Sequence, residues 1–274
     1  MKTLTNKFSF IACMLGLLTF TMQSCQDVID VDLNDADPKY VIEGHIYEGV
    51  DSIMVRVTQT ASFFDGGLPP VVDDATVIIT MPSGEEVLLQ SIGNGYYKAT
   101  NQVIVDDADY ALRVLVNDEE FTAVTRMPKH IELDSLEQVA NPQLFGSDPT
   151  YAVYVRYQDP VGPQYYKYVV TYNDTLLIDS DEIIVVDPGA LDGQEIYMPI
   201  YYLSCEVGDV VEVELQCIDK GVYQFFDTMK DIAGGSAGSP FSATPANPIT
   251  NIRGGALGVF GAYTSSKKSI TITE

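Results

Sequence analysis

Between Lys39 and Pro128 the chain alternates apolar and polar positions in short runs separated by turn formers. This period of two predicts strands at Tyr40–His45, Ser52–Gln59, Thr76–Met81, Val87–Ser91, Tyr96–Ala99, Tyr110–Val116 and Glu120–Arg126. Pro82-Ser83-Gly84, Gly93-Asn94-Gly95 and Asn117-Asp118 stand between them, where glycine or an Asx side chain lets the backbone reverse. Seven strands in this span predict an immunoglobulin-like or transthyretin-like β-sandwich over residues 39–128.

Met127-Pro128-Lys129 marks a boundary, and residues 129–274 read as a second β-rich domain. Strands are expected at Tyr151–Tyr157, Tyr166–Tyr172, Thr175–Ile178, Glu182–Val186, Ile196–Cys205 and Val210–Ile218. In the last of these, Val211, Val213, Leu215 and Cys217 alternate with Glu212, Glu214 and Gln216, the pattern of a sheet with one buried face and one wet face. The period then changes. Val222, Phe225, Phe226, Met229 and Ile232 recur three or four apart, which predicts an amphipathic helix near 222–233 packed on the sheet and ended by Gly234-Gly235. The fold class is therefore mainly β, a sandwich followed by a β-rich domain with one helix.

A third pattern precedes both. Lys2 and Lys7 lead into the apolar run Phe8–Thr21, which stops at Met22-Gln23-Ser24-Cys25. The run is short of the roughly 20 residues that span a bilayer and has the length of a secretory h-region. Residues 1–24 therefore read as a lipoprotein signal peptide, and Cys25 as the lipidated residue, with the small Ser24 just before it. The competing Cys13 leaves too short an h-region. Residues 25–38 follow as an acidic tether, with five aspartates and no basic residue from Gln26 to Asp37.

Removing residues 1–24 takes away two lysines and moves the net charge from −24 to −26. A field of that sign repels phosphate backbones and anionic head groups, so nucleic-acid binding and electrostatic membrane association are both disfavoured. Attachment to a membrane is expected through the N-terminal lipid. Cys205 and Cys217 flank the turn Gly208-Asp209, but a tight hairpin there pairs Cys205 with a residue near 212. Two buried thiols are expected, with a disulfide as the alternative.

Candidate chemistry is sparse. Gly234-Gly235-Ser236-Ala237-Gly238 spells G-x-S-x-G, but a helix precedes it and Pro240 follows, and both histidines, His45 and His130, lie upstream. Asp106–Asp109, Asp179–Glu182 and Asp187–Glu195 offer carboxylates of the kind calcium takes, without EF-hand spacing. The acidity of the whole chain favours solvated turns. Ten of the 17 tyrosines fall between Tyr151 and Tyr202, where they serve either as a binding groove or as ordinary strand residues. No catalytic residue, metal site or cofactor is expected.

The segment Asn247–Tyr263, with Gly254, Gly255, Gly258 and Gly261 set among apolar residues, resembles the C-terminal signature of the Bacteroidota lipoprotein family known as domain of unknown function 4249. Tyr40-Val41-Ile42-Glu43-Gly44, Ala75-Thr76-Val77, Gly95-Tyr96-Tyr97, Met127-Pro128, Asp159-Pro160 before Tyr165-Tyr166, and Gly208-Asp209 agree with it. The resemblance implies an outer-membrane lipoprotein, often encoded beside a TonB-dependent transporter, and implies no catalytic residues. The expected function is a non-enzymatic accessory or binding component working with such a transporter. The alternative is a structural or adhesive surface module. Both faces of the outer membrane fit this reading, and the acidic stretch after Cys25 favours the cell surface.

Overall fold

The computed structural model describes residues 37–61, 68–141, 150–179, 182–233 and 247–274. The signal peptide, Cys25, nearly all of the tether and the segment Gly234–Gly238 lie outside the described residues. Fifteen strands follow in chain order. The first seven are β1 (Tyr40–Tyr47), β2 (Ile53–Gln59), β3 (Thr76–Thr80), β4 (Glu86–Gly93), β5 (Tyr96–Ala99), β6 (Ala108–Val116) and β7 (Glu119–Met127). Then come β8 (Ser135–Ala140), β9 (Tyr151–Gln158), β10 (Tyr165–Tyr172), β11 (Thr175–Leu176), β12 (Ile184–Val186), β13 (Glu195–Pro199), β14 (Val210–Ile218), helix α1 (Lys220–Ala233) and β15 (Leu257–Thr271). No helix among the described residues is long and apolar enough to cross a membrane.

The large sheet runs β11-β10-β14-β15-β1-β2-β5-β4-β3-β6-β7, and β12 adds to β10; β13-β9-β8 form a second sheet. Strand β4 joins two ribbons, pairing with β3 through Glu86–Leu89 and with β5 through Gln90–Gly93. A register shift between Ser91 and Gly93 bends it there. The alternation read from the sequence sends Ile42, Ile46, Val55, Val57, Val77, Ile79, Leu112, Val114 and Phe121 into one core. A second core gathers Val153, Val155, Tyr157, Tyr166, Tyr168, Val211, Val213 and Leu215.

Strand β15 serves both cores. It pairs in parallel with β1 over Leu257–Tyr263 and antiparallel with β14 over Thr264–Thr271. Its inward Phe260 and Ala262 lie in the first core, while Ile272 just beyond it lies in the second. Between them Thr264 and Ser266 are buried and polar. They meet the connecting segment: Ser266 Oγ accepts from Leu133 N at 3.0 Å and donates to Glu132 at 2.9 Å, and Thr264 reaches the Lys129 carbonyl at 3.4 Å. The boundary expected at Met127-Pro128-Lys129 thus falls between two cores, but Asp37–Glu274 form one compact unit. Residues assigned to 129–274 help fill the first core as well.

Along its first half β15 has a second edge, and a side chain covers part of it. The Asn251 amide donates to the Phe260 carbonyl at 2.7 Å and its oxygen accepts from Phe260 N–H at 3.0 Å, imitating a strand for one residue. Asn251 is placed by the chain running back along β7, where Arg253 and Thr122 exchange backbone hydrogen bonds.

Helix α1 begins at Lys220, two residues before the expected start, because Asp219 caps it. Asp219 Oδ1 accepts from Val222 N–H at 2.8 Å, and its other oxygen holds Thr125 Oγ1 at 2.6 Å and Arg126 N–H at 3.0 Å on β7. Val222 packs with Ile218, Val259 and Tyr263 on the outer face of β14 and β15, flanked by Phe225 and Phe226. The strand expected over Ile196–Cys205 ends at Pro199; Ile200 N–H still donates to the Val153 carbonyl at 2.9 Å, and a turn closed by Leu203 N–H on the Ile200 carbonyl at 3.1 Å then takes the chain away. Cys205 instead bridges Tyr151. The strands expected over Thr175–Ile178 and Glu182–Val186 shrink to Thr175–Leu176 and Ile184–Val186.

Gly258 sits at φ +100°, and a Cβ there would collide with the Ile42 carbonyl oxygen on β1. Gly258→Ala should therefore cost on the order of 1–3 kcal/mol through strain and loss of β1–β15 pairing, read as a lower urea midpoint. An unchanged midpoint would show that β15 does not depend on this close approach.

Candidate functional site

The outward positions of β1 and β2 combine aromatic, apolar and charged side chains. In β1, Glu43, His45 and Tyr47 alternate with the buried Ile42 and Ile46; in β2, Met54 and Arg56 alternate with the buried Ile53, Val55 and Val57. Register sets Glu43 beside Arg56, Arg56 beside Tyr96 of β5, and His45 beside Met54. With Val50 and Ser52 from the β1–β2 turn, these residues line a cleft of about 310 Å³. That volume is at the lower end of the range for small-molecule sites. Tyr47, Val50 and Met54 are 37%, 44% and 40% exposed, so the cleft opens to solvent over apolar side chains.

One end of the cleft is charged. Arg56 Nη1 stands 4.0 Å from Glu43 Oε2, and its guanidinium lies over the Tyr96 ring at 5.1 Å. The other end is aromatic. Tyr47 stacks on Tyr263 of β15 with ring centroids 5.0 Å apart, and His45 Nδ1 shares a 3.2 Å hydrogen bond with the Tyr263 hydroxyl. Tyr263 can lie flat on the sheet because its neighbour two residues back is Gly261, where any Cβ would strike the phenol.

Burial governs the protonation of this group. It pushes His45 down to about 4, with Lys167 adding to the effect, so the imidazole is neutral at pH 7. Burial raises the phenols of Tyr47 and Tyr263, which stay protonated. Lys167 is itself lowered by burial against the Phe226 ring, 4.6 Å from its Nζ, although Glu214 opposes the shift. The cleft therefore presents a neutral aromatic end and one loosely joined ion pair. Such a surface is suited to holding a molecule that has an apolar body and a charged group.

Residues singled out in the sequence are dispersed by the fold. His130 lies between Glu48 Oε2 at 2.7 Å and Glu132 Oε1 at 3.2 Å, on the segment that crosses between the two cores. Asp107 and Asp109 hold Arg126, Asp187 accepts from Gly189 N–H, Asp192 accepts from Gly162 N–H, and Glu195 meets Arg156. Each of these acidic loops uses its carboxylates within the fold, and no cluster of three metal-ligating side chains occurs among the described residues. Cys205 and Cys217 are free and buried, and burial pushes both thiols up to about 11.

The tyrosines between 151 and 202 divide. Tyr157, Tyr166 and Tyr168 are core residues tied by hydroxyl hydrogen bonds, among them Tyr166 to the buried Asp159. Tyr154 and Tyr197 stack on the outer face of the small sheet instead. None of the cleft residues stood out in the sequence as a site. The signal that would have found them is the occurrence of histidine, tyrosine and methionine at the wet positions of β1 and β2.

The two histidines should bend the pH dependence of stability in opposite directions. The lowered His45 makes the unfolded chain the better proton acceptor, so stability falls by a few kcal/mol, to order of magnitude, as pH drops from about 6.5 towards 4. His130 is raised, chiefly by its hydrogen bond to Glu48, so its contribution is complete below about 6.5 and is lost as pH climbs through its folded value. Urea midpoints from pH 4.5 to 8 should show His45→Gln flattening the acid limb and His130→Gln flattening the neutral limb. The reverse assignment would refute the two environments.

A family model described as Domain of unknown function (DUF4249) matches residues 26–269. No curated protein matches the chain.

Proposed function

The chain belongs to the family described as domain of unknown function DUF4249, and on that premise we propose that it is a non-enzymatic binding component of the cell envelope, lipid-anchored through Cys25 and working with a TonB-dependent outer-membrane transporter. The observation that carries the binding role is the cleft over β1, β2 and β5, with its neutral aromatic end and its Glu43–Arg56 rim. A neutral His45 bonded to a protonated, buried phenol is a weak base and a weak acid near pH 7, which favours holding a ligand over proton transfer.

Attachment in this reading comes from the lipid. The layout of residues 1–25 supports it, and the acidic stretch from Gln26 to Asp37 gives the folded unit room to stand off the membrane. Twelve residues reach at most about 40 Å when extended. At the surface of an outer membrane, that reach lets a tethered domain sample a neighbouring transporter at high effective concentration.

Growing cells with a clickable fatty acid should label the wild-type protein and leave Cys25→Ala unlabelled; label on the variant would sink the anchor. Native pull-down of the wild-type protein should recover an outer-membrane transporter. Recovery of the protein alone, under conditions that preserve known transporter complexes, would count against the accessory role.

A further inference from the structure

We infer that the cleft recognises the free carboxylate of an apolar amino acid or short peptide, with Arg56 as the residue that takes it. The inference deepens the binding reading above and rests on it. Arg113, Arg126 and Arg156 each have a carboxylate oxygen within 3.4 Å. Arg56 is more loosely held: its nearest acidic atom, Glu43 Oε2, stands at 4.0 Å from Nη1, and its side chain is 36% exposed. A guanidinium also presents two Nη–H bonds along its outer end with the spacing of a carboxylate, so an incoming carboxylate is held by both.

Three further features fit a carboxylate with an apolar body. Tyr96 lies against the guanidinium plane and fixes its orientation, so the edge is held ready. Lys98 stands beside Met54 in the β2–β5 register, half-buried and with no ion-pair partner among the described residues. Arg56 and Lys98 thus set two cations beside Glu43 on this face, in a chain of net charge −24. An anion is otherwise repelled by such a chain, so its binding requires a patch of this kind. Beyond the charged end, Tyr47, Val50 and Met54 offer apolar surface to a side chain. A cleft of about 310 Å³ suits a ligand of a few residues or fewer.

Isothermal titration of the full chain in detergent, using phenylalanine, Ala-Ala-Phe and Ala-Ala-Phe-amide, tests the inference. At least one of the two free acids should bind, and the amide should bind at least tenfold more weakly than its acid. Phenylalanine binding as tightly as the tripeptide points to a free amino acid as ligand, and tripeptide binding alone to a peptide terminus. Arg56→Gln should reduce acid binding to the level of the amide, whereas Glu43→Gln, which frees the guanidinium, should tighten it several-fold. The Glu43→Gln gain keeps the test decisive if Arg56→Gln fails to fold. Acid and amide binding equally, with both lost in Tyr47→Ala, overturns the carboxylate inference and leaves the binding reading standing. A preference for acid that survives in Arg56→Gln overturns it as well, and so does failure of all three probes to bind.

Discussion

The strand β15 changes neighbours halfway along its length, and the rest of the architecture follows from that change. Up to Tyr263 its hydrogen bonds go to β1, and from Thr264 they go to β14. Each half therefore faces a different core, and the residues between them must satisfy polar groups of the segment that passes there. Thr264 and Ser266 do this, which explains why a strand with apolar Phe260 and Ala262 on its inward face turns hydroxylated before it turns apolar again at Ile272. The close approach to β1 requires glycine at 258, and the edge left open there requires the Asn251 amide. The glycine-rich composition of the C-terminal passage is thus a record of packing constraints.

Most of the strands were legible because their alternation has one apolar face, as in Val211, Val213 and Leu215 of β14, and period two is enforced wherever one face is buried. The helix was legible for the same reason at its own period. What could not be read were elements whose pattern is set by neighbours distant in sequence. Ser135–Ala140 forms β8 on the edge of the small sheet with little fully buried on either face, so it carries no alternation to detect. Strand β15 is buried on both faces over most of its first half and wet near its end, and its period dissolves. Strand β13 ends in a turn closed by Leu203 N–H on the Ile200 carbonyl, and the Tyr201-Tyr202 pair inside that turn carries no glycine, proline or Asx signal.

The site was less legible than the fold. Glutamate, histidine and tyrosine on the outward positions of β1 look like any solvated strand face until register brings Arg56, Met54 and Tyr96 alongside and β15 adds Tyr263. In the sequence Gly261 is one of several glycines set among apolar residues, and in the fold it makes room for a phenol lying over the backbone. Asp107, Asp187 and Asp192, in acidic loops prominent in the sequence, are occupied locally by an arginine or by backbone N–H groups. In a chain this acidic, prominence of charge in the sequence is a poor guide to a site.

The position of β15 also has a consequence for the order of folding. As the polypeptide emerges N-terminus first, β1 and β14 are complete well before Leu257–Thr271 arrives to pair with them. Until then one edge of each is open and the first core lacks Phe260 and Ala262. Pairing by β15 is therefore the step that covers both edges, which until then present the unsatisfied backbone groups that another chain can add to.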